Sequence, residues 1–395
     1  MILVKMAKIY FKNKIKLTLS YIYFFIFFLF FYTFFLLNQI DTFGENDIQN
    51  LVLPRNDTNI VVAGDWYCNE ETQKTVNNII SVHPELIITT GDHVKDVNSA
   101  DCWIEMSEKI KDKMKIAIGN HDRDSSKIYN QITSNHNLTN PYYSHDFKNI
   151  HFISLSTEHP FAKGSQQYEF IKNDLEKISK NSGIDWIIIH QHKPLYSSKN
   201  DKEDAQELRN TYHPLFEKYD VDMVISSHNQ YYERTYPLLY NSKSDEDPIF
   251  NNNFTSNYYH NPDGIIFLTV GTAGDELQDI EYQEDYYIMQ DDDEFGFLNI
   301  NIHNKGKTLF GKFMTNDGSV VDQFRLHTLQ GKSYQEDKLL IEDNNANDNL
   351  VICDKLSSLA KILIDKWEQG KITDEQAMSL AQQGKELMLQ EGCIN

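Results

Sequence analysis

Five short polar motifs, each placed directly after an apolar run, carry the residues of this chain that could do chemistry. In order they are Gly64-Asp65, Gly91-Asp92, Gly119-Asn120-His121-Asp122, His190-Gln191-His192-Lys193-Pro194 and Ser227-His228-Asn229-Gln230. A glycine and an aspartate after a strand usually make only a turn, and a single histidine there is more often structural than a ligand. Five such motifs in sequence are hard to obtain from turn chemistry alone. Delivered to one edge of a sheet, their carboxylate, amide and imidazole groups would form a mixed donor set suited to iron, manganese or zinc.

To reach one edge, the apolar runs must be strands. Residues 60–63, 86–89 and 115–118 read as short buried strands, each ending in a polar motif, with further strands at 151–155, 186–189, 223–226 and 265–270. Residues 72–82, 166–178 and 205–219 read as helices between them. Strands alternating with helices indicate an α/β layered sheet, whose sites form beyond the strand ends. Later runs at 297–302, 308–315 and 320–326, joined by His303-Asn304-Lys305-Gly306 and Asn316-Asp317-Gly318, read as an antiparallel meander. Residues 240–263, rich in Asn, Ser and Asp, read as a long loop or insertion.

On these residues the chain resembles the calcineurin-like metallophosphoesterases and, within them, the purple acid phosphatases. His192 follows Trp186 by six residues and precedes Lys193-Pro194-Leu195-Tyr196-Ser197, similar to the family's strand-ending His-x-Pro segment. Ser227-His228-Asn229-Gln230-Tyr231-Tyr232-Glu233-Arg234 follows its Gly-His-x-His-x-Tyr-Glu-Arg region, and Val270-Gly271-Thr272-Ala273-Gly274 and Phe295-Gly296-Phe297-Leu298 look like its late segments. The resemblance covers roughly 59–326 and implies a layered β-sandwich flanked by helices. It also implies two divalent or trivalent ions (Fe, Zn or Mn) that activate a water to hydrolyse a phosphate ester, a monoester before a diester. Asp92 would bridge them, Asp65 would serve the first, and Asn120, His192 and His228 the second. His121 would bind no metal and would stabilise charge or protonate the leaving oxygen.

Three departures fall on the first metal position. The family's second His-x-His histidine is Gln230, its tyrosine three residues after the bridging aspartate is Lys95, and Asp65 is followed by Trp66 and Tyr67 rather than by Asp-x-His. An amide oxygen is a weaker ligand than imidazole, and an ammonium repels a cation. The first ion is therefore expected to bind weakly, or Lys95 to replace its charge while steadying the phosphate, or His93 or Tyr67 to supply a ligand. His190 shares a side of the extended chain with His192, and the Trp186 spacing favours His192 as ligand, leaving His190 to support the ligands or touch substrate. Gln230 and Lys95 also keep open a different class of function: a phosphatase fold that has lost turnover and serves as a membrane-anchored binding or scaffold protein.

The remaining chain bounds the setting. A formal charge of −21, from 58 acidic against 37 basic residues, argues against nucleic-acid binding. Residues 17–37 form 21 uncharged, mostly aromatic and aliphatic positions, long enough for a bilayer. Five lysines precede them and Asp41, Glu45 and Asp47 follow, which places the N-terminus inside and the bulk of the chain outside. Asn38, Gln39, Ile40 and Asp41 offer no small-residue cleavage site, so an uncleaved transmembrane signal anchor is expected. The organisation reads as a basic cytoplasmic terminus (1–16), anchor (17–37), linker (38–58), metallophosphoesterase domain (59–328), linker (329–349) and C-terminal helical hairpin (350–395). Of four cysteines, Cys68 is expected to pair with Cys102 and Cys353 with Cys393, and Asn56, Asn137 and Asn253 begin glycosylation sequons.

Overall fold

Unbroken apolar runs suit strands covered on both faces, because successive side chains leave a strand in opposite directions. The computed structural model describes residues 58–328 except 97, 182, 200, 201, 251–256, 304 and 305, with the backbone alone at 202–204 and 260. The expected cytoplasmic terminus, anchor, second linker and hairpin tail, most of the first linker, the Cys353–Cys393 pair and the Asn56 and Asn253 sequons lie outside these residues. Among the described residues no helix is long and apolar enough to cross a membrane.

The strands are β1 (Thr58–Ala63), β2 (Leu86–Thr89), β3 (Met114–Ile116), β4 (Tyr143–Phe147), β5 (Ile150–Ser154), β6 (Trp186–His190), β7 (Met223–Ser226), β8 (Tyr232–Thr235), β9 (Leu238–Leu239), β10 (Ile249–Phe250), β11 (Tyr258–His260), β12 (Ile266–Val270), β13 (Tyr287–Asp291), β14 (Gly296–His303), β15 (Thr308–Thr315) and β16 (Val320–His327). The helices are α1 (Glu70–Ser81), α2 (Ala100–Ser107), α3 (Ser126–Asn135), α4 (Gln166–Ile178) and α5 (Lys202–Lys218). One seven-stranded sheet runs β11-β16-β15-β14-β1-β2-β3 and the other β13-β8-β12-β7-β6-β5-β4. In the first, β1, β2 and β3 are parallel neighbours; in the second, β5, β6, β7 and β12 are.

Alternation sorts each run into two layers. Ile60, Val62 and Ile88 of the first sheet meet Trp186, Ile188, Met223, Ile225, Ile266 and Leu268 of the second in one central core. The residues between them face outward: Val61, Ala63 and Ile87 under α1, α2 and α3, and Ile187, Ile189, Val224 and Phe267 under α4 and α5. The result is a helix–sheet–sheet–helix sandwich, in which each fully buried aliphatic side chain contributes about 1.5–3 kcal/mol. Helix starts are set locally: Asn69 accepts from Thr72 N, Ser125 from Ile128 N and Ser165 from Tyr168 N, caps worth about 1 kcal/mol each.

Two expectations shift. The third strand ends at Ile116 rather than 118, although Ala117 N still donates to the Thr89 carbonyl at 2.9 Å, so the chain keeps beside β2 up to the polar motif. Residues 240–263, expected as loop, carry β10, which ladders with β9, and β11, which adds a parallel edge to β16. Their Asn- and Asp-rich composition hid strands of two and three residues.

A buried ion pair crosses the sandwich. Arg234 of β8 is fully buried and forms a two-pronged bond to Asp322 of β16, Nε to Oδ2 at 2.6 Å and Nη2 to Oδ1 at 2.9 Å. Tyr232 donates to the same carboxylate at 2.7 Å, and Arg234 Nη1 donates to the Tyr259 hydroxyl at 2.9 Å. A second polar tie lies near the edge, where His151 of β5 bonds Asp146 of β4 at 2.6 Å and Asp174 of α4 at 2.9 Å. Burial opposes charge on His151, but the Asp174 and Asp146 carboxylates raise its pKa above the ordinary value.

Asp322→Ala leaves the guanidinium buried and unpaired, and is expected to destabilise the domain by about 3–5 kcal/mol. The double variant Arg234→Met/Asp322→Leu should recover most of that loss in chemical denaturation; equal losses in both would contradict the assignment. Because the folded His151 pKa is raised, its stabilisation is present in full below the unfolded value and fades as pH rises through the folded one. The stability gap between wild type and His151→Gln should therefore be larger near about pH 6 than near about pH 9. A gap that does not change with pH would rule this out.

Candidate metal centre

The site is built where the parallel strands of both sheets end. Beyond β1 and β2 the two loops hold each other through backbone bonds, Asp65 N to the Gly91 carbonyl at 3.2 Å and Trp66 N to the Asp92 carbonyl at 2.8 Å. Asp65, Asp92 and His228 all take left-handed backbone, with φ of 57°, 47° and 71°. Space is short as well. A Cβ at Gly119 would stand 2.1 Å from Asp92 Oδ1, and one at Gly91, itself at φ 100°, would stand 2.8 Å from His192 Nδ1. Behind the first loop, Asn69 caps α1 and donates to the Gly274 carbonyl at 2.7 Å. The Cys68–Cys102 disulfide, with Cα atoms 6.0 Å apart, joins that loop to α2, as the cysteine spacing predicts.

Three donor groups converge on His192. Its Nε2 lies 2.9 Å from Asn120 Oδ1, 3.2 Å from Asp92 Oδ2 and 3.2 Å from His228 Nδ1. Its other nitrogen, Nδ1, stands 3.0 Å from the Thr90 carbonyl, an acceptor that holds a proton on Nδ1 and keeps Nε2 facing the cluster. Ser227 Oγ donates to the same carbonyl at 2.8 Å and so braces the ring. Asp92, His192 and His228 can each offer one ligand atom within 4.8 Å of the others. A carboxylate, an amide oxygen and two imidazole nitrogens fit zinc, manganese or iron.

Asp65 is placed beside this group rather than in it. Its Oδ2 accepts from His228 N at 2.7 Å, which sets the histidine's loop, and its Oδ1 lies 3.5 Å from Gln230 Nε2. Gln230 Oε1 is buried and has no hydrogen-bond partner among the described residues. Asp65 and Gln230, the residues expected at the first metal position with Asp92, would bring oxygen donors only.

The other expected residues take supporting or separate places. His121 N donates to Asp92 Oδ1 at 2.9 Å, and its ring is part-exposed, with Nδ1 3.0 Å from Asp124 Oδ2. His93 points away from the donor cluster: its Nδ1 meets Asp122 at 2.9 Å and its Nε2 meets Thr89 Oγ1 at 2.6 Å. Asp122 also accepts from Gly119 N at 3.0 Å and His93 N at 2.9 Å, and thereby holds the loop that presents Asn120. Lys95 is bound to Asp275 at 2.6 Å and lies over the Tyr67 ring, so neither Lys95 nor Tyr67 joins the donor cluster. His190 is fully buried, edge-on to Tyr143 at 6.3 Å, and is not among the cluster's neighbours. Sequence reasoning assigned no role to Asp122, Ser227, Asp124 or Asp275. Asp122 could have been found, since it sits inside a quoted motif; Asp275 could not, since its partner is 180 residues away.

The cluster attracts positive charge. Burial above all, opposed by His192 and helped by nearby Asp92, raises the Asp65 pKa to about 7. Burial opposes charge on His192, yet Asp92 and then Asp65 raise its pKa to about 10. Burial, and after it the neighbouring His192, depress His228 to about 2, so its imidazole is neutral and able to donate a lone pair.

Residues 58–232 match the family described as calcineurin-like phosphoesterase, and residues 264–323 match iron/zinc purple acid phosphatase-like protein C. The Arabidopsis thaliana protein called "Probable inactive purple acid phosphatase 27" is 26% identical over 267 residues, covering 59% of this chain and 42% of the relative. An acid phosphatase of Aspergillus ficuum is 31% identical over 180 residues, covering 43% of this chain and 29% of the relative. The chain thus spans less than half the length of either. A purple acid phosphatase from yellow lupin (Lupinus luteus) seeds superposes with a TM-score of 0.56 at 21% identity over 70% of this chain and 54% of that one, a likeness of fold. With one match running from the first strand through the ligand-bearing loops and the other closing the sandwich, the described residues carry a calcineurin-like phosphoesterase domain followed by a purple-acid-phosphatase-like segment.

Proposed function

We propose that this chain is a metal-dependent phosphoric ester hydrolase, an acid-phosphatase-like phosphomonoesterase acting outside the membrane. The observation that carries the reading is the convergence of Asp92, Asn120 and His228 on His192 Nε2 within 3.2 Å. Asn120, His192 and His228 would hold one ion, with Asp92 shared toward a second on Asp65. Metal ions held there would supply an acidified water and neutralise charge on the phosphoryl oxygens. Asp92 Oδ1, fixed by His121 N, keeps the carboxylate oriented between the two positions. Asp124 holds His121 Nδ1, which leaves Nε2 as the atom that gives a proton to the departing alkoxide. The disulfide supports an oxidising location, and the apolar run at 17–37 supports an anchor.

A second reading, a fold that binds without turnover, draws on Gln230 and on Lys95, whose charge is held by Asp275. It also draws on relatives named as inactive.

Turnover of a chromogenic phosphate monoester and a bis-ester, with Mn, Zn, Fe or Mg added, separates the two readings; silence with all four metals would sink the enzyme. In an active preparation His121→Gln should lower kcat by roughly 10²–10⁴-fold with little change in KM. Asp92→Ala should abolish turnover, and full activity in that variant would overturn the shared-carboxylate role.

A further inference from the structure

We propose that the position formed by Asp65, Asp92 and Gln230 selects a hard, oxygen-seeking divalent cation such as Mg²⁺ or Mn²⁺, while the His192 position takes zinc or iron. This inference rests on the metal-dependent reading above and adds to it which ion each half of the centre prefers.

Three observations carry it. First, Gln230 is 7% exposed and its Oε1 has no hydrogen-bond partner among the described residues, a costly state for a buried acceptor. Its Nε2 reaches Asp65 Oδ1 only at 3.5 Å, the weak end of hydrogen bonding. A half-turn of the amide exchanges the two ends at little cost and sets Oε1 beside the carboxylate, an arrangement that a cation between them makes favourable. Second, Asp65 and Asp92 are both buried, and Lys95, which stands where the family's tyrosine would be, has its Nζ 2.6 Å from Asp275 instead. Third, the donors differ in kind across the site. The His192 position has two imidazoles, whereas the Asp65 position offers two carboxylates and an amide oxygen, with Trp66 and Tyr67 where a further ligand would follow in sequence. All-oxygen sets favour Mg²⁺, Ca²⁺ or Mn²⁺, and those that keep bound waters favour Mg²⁺ and Mn²⁺; imidazole sets favour zinc.

The test is equilibrium dialysis of the purified, chelator-stripped full chain against Zn²⁺ alone, Mn²⁺ alone and both. Bound ions are counted by elemental analysis, and manganese is followed by its paramagnetic resonance. Wild type should retain one zinc per chain and, with zinc present, take up one exchangeable manganese that Mg²⁺ displaces. Gln230→His should acquire a second zinc bound at least about tenfold more tightly than in wild type. Gln230→Glu, which keeps the shape and the oxygen, should tighten manganese by a similar factor without gaining zinc. Asp65→Asn should lose the manganese and keep the zinc, which guards against misfolding as an explanation. Two zinc ions held with equal affinity by wild type would overturn the selectivity, and so would a Gln230→His protein that binds no more zinc than wild type. A chain that retains no zinc in any variant would overturn the metal-dependent reading itself.

Discussion

Holding three residues that are not glycine in left-handed backbone is the constraint on which the rest of the site depends. Asp65, Asp92 and His228 each occupy that region, at a cost of about 1–3 kcal/mol apiece, and such conformations persist only where the surroundings over-determine them. Here the surroundings are one another. The loops after β1 and β2 are joined by two backbone bonds, and the Asp65 carboxylate holds the amide of His228 from the opposite sheet. The central core beneath the loops makes this possible, because it fixes the distance between the two sheets from which the loops project.

The same close approach explains the electrostatics. Carboxylates gathered at buried strand ends draw positive charge toward His192, and the depressed His228 keeps a neutral imidazole beside it. Charges at the rim are handled separately. Lys95 is taken by Asp275, and the His121 ring is tethered to Asp124. The interior of the site is therefore set by acids, amides and imidazoles, with Lys95 held at its edge.

Much of this was legible in the residues. Each apolar run that ends in a polar motif proved to be a strand, because a strand covered on both faces keeps nearly every position apolar, Lys115 of β3 being an exposed exception. The helix at 166–178 matched residue for residue, since Ser165 caps it and Ile171, Leu175 and Ile178 fall on one face. What composition and periodicity could not show was which strands share a sheet. Ile60 and Trp186 meet across the central core although neither run carries a mark of its partner. Only the resemblance to a known family implied the layered sandwich. The places of Lys95, His93 and His190 were illegible for the same reason: a salt bridge to Asp275, a bond to Asp122 and a wall formed by Tyr143 are all products of tertiary contact. The strands within 240–263 were missed because edge pairing tolerates the polar residues that ordinarily mark a loop.

The long sequence separation between the donors has a consequence for how the chain matures. Asn120 and His192 are 72 residues apart, and Asp65 and the His228 amide that it holds are 163 apart. Contacts this remote form late, after the loop-closure entropy of both sheets has been overcome. A newly emerging chain exposes Asp65, Asp92 and Asn120 well before either imidazole, so early on it presents oxygen donors and no mixed set. A nick between α4 and β6 would divide the centre in the same way, with carboxylates on one fragment and histidines on the other. Tight retention of an ion would then act as a gauge of maturation, reporting that both halves of the sandwich have been made and have closed on each other.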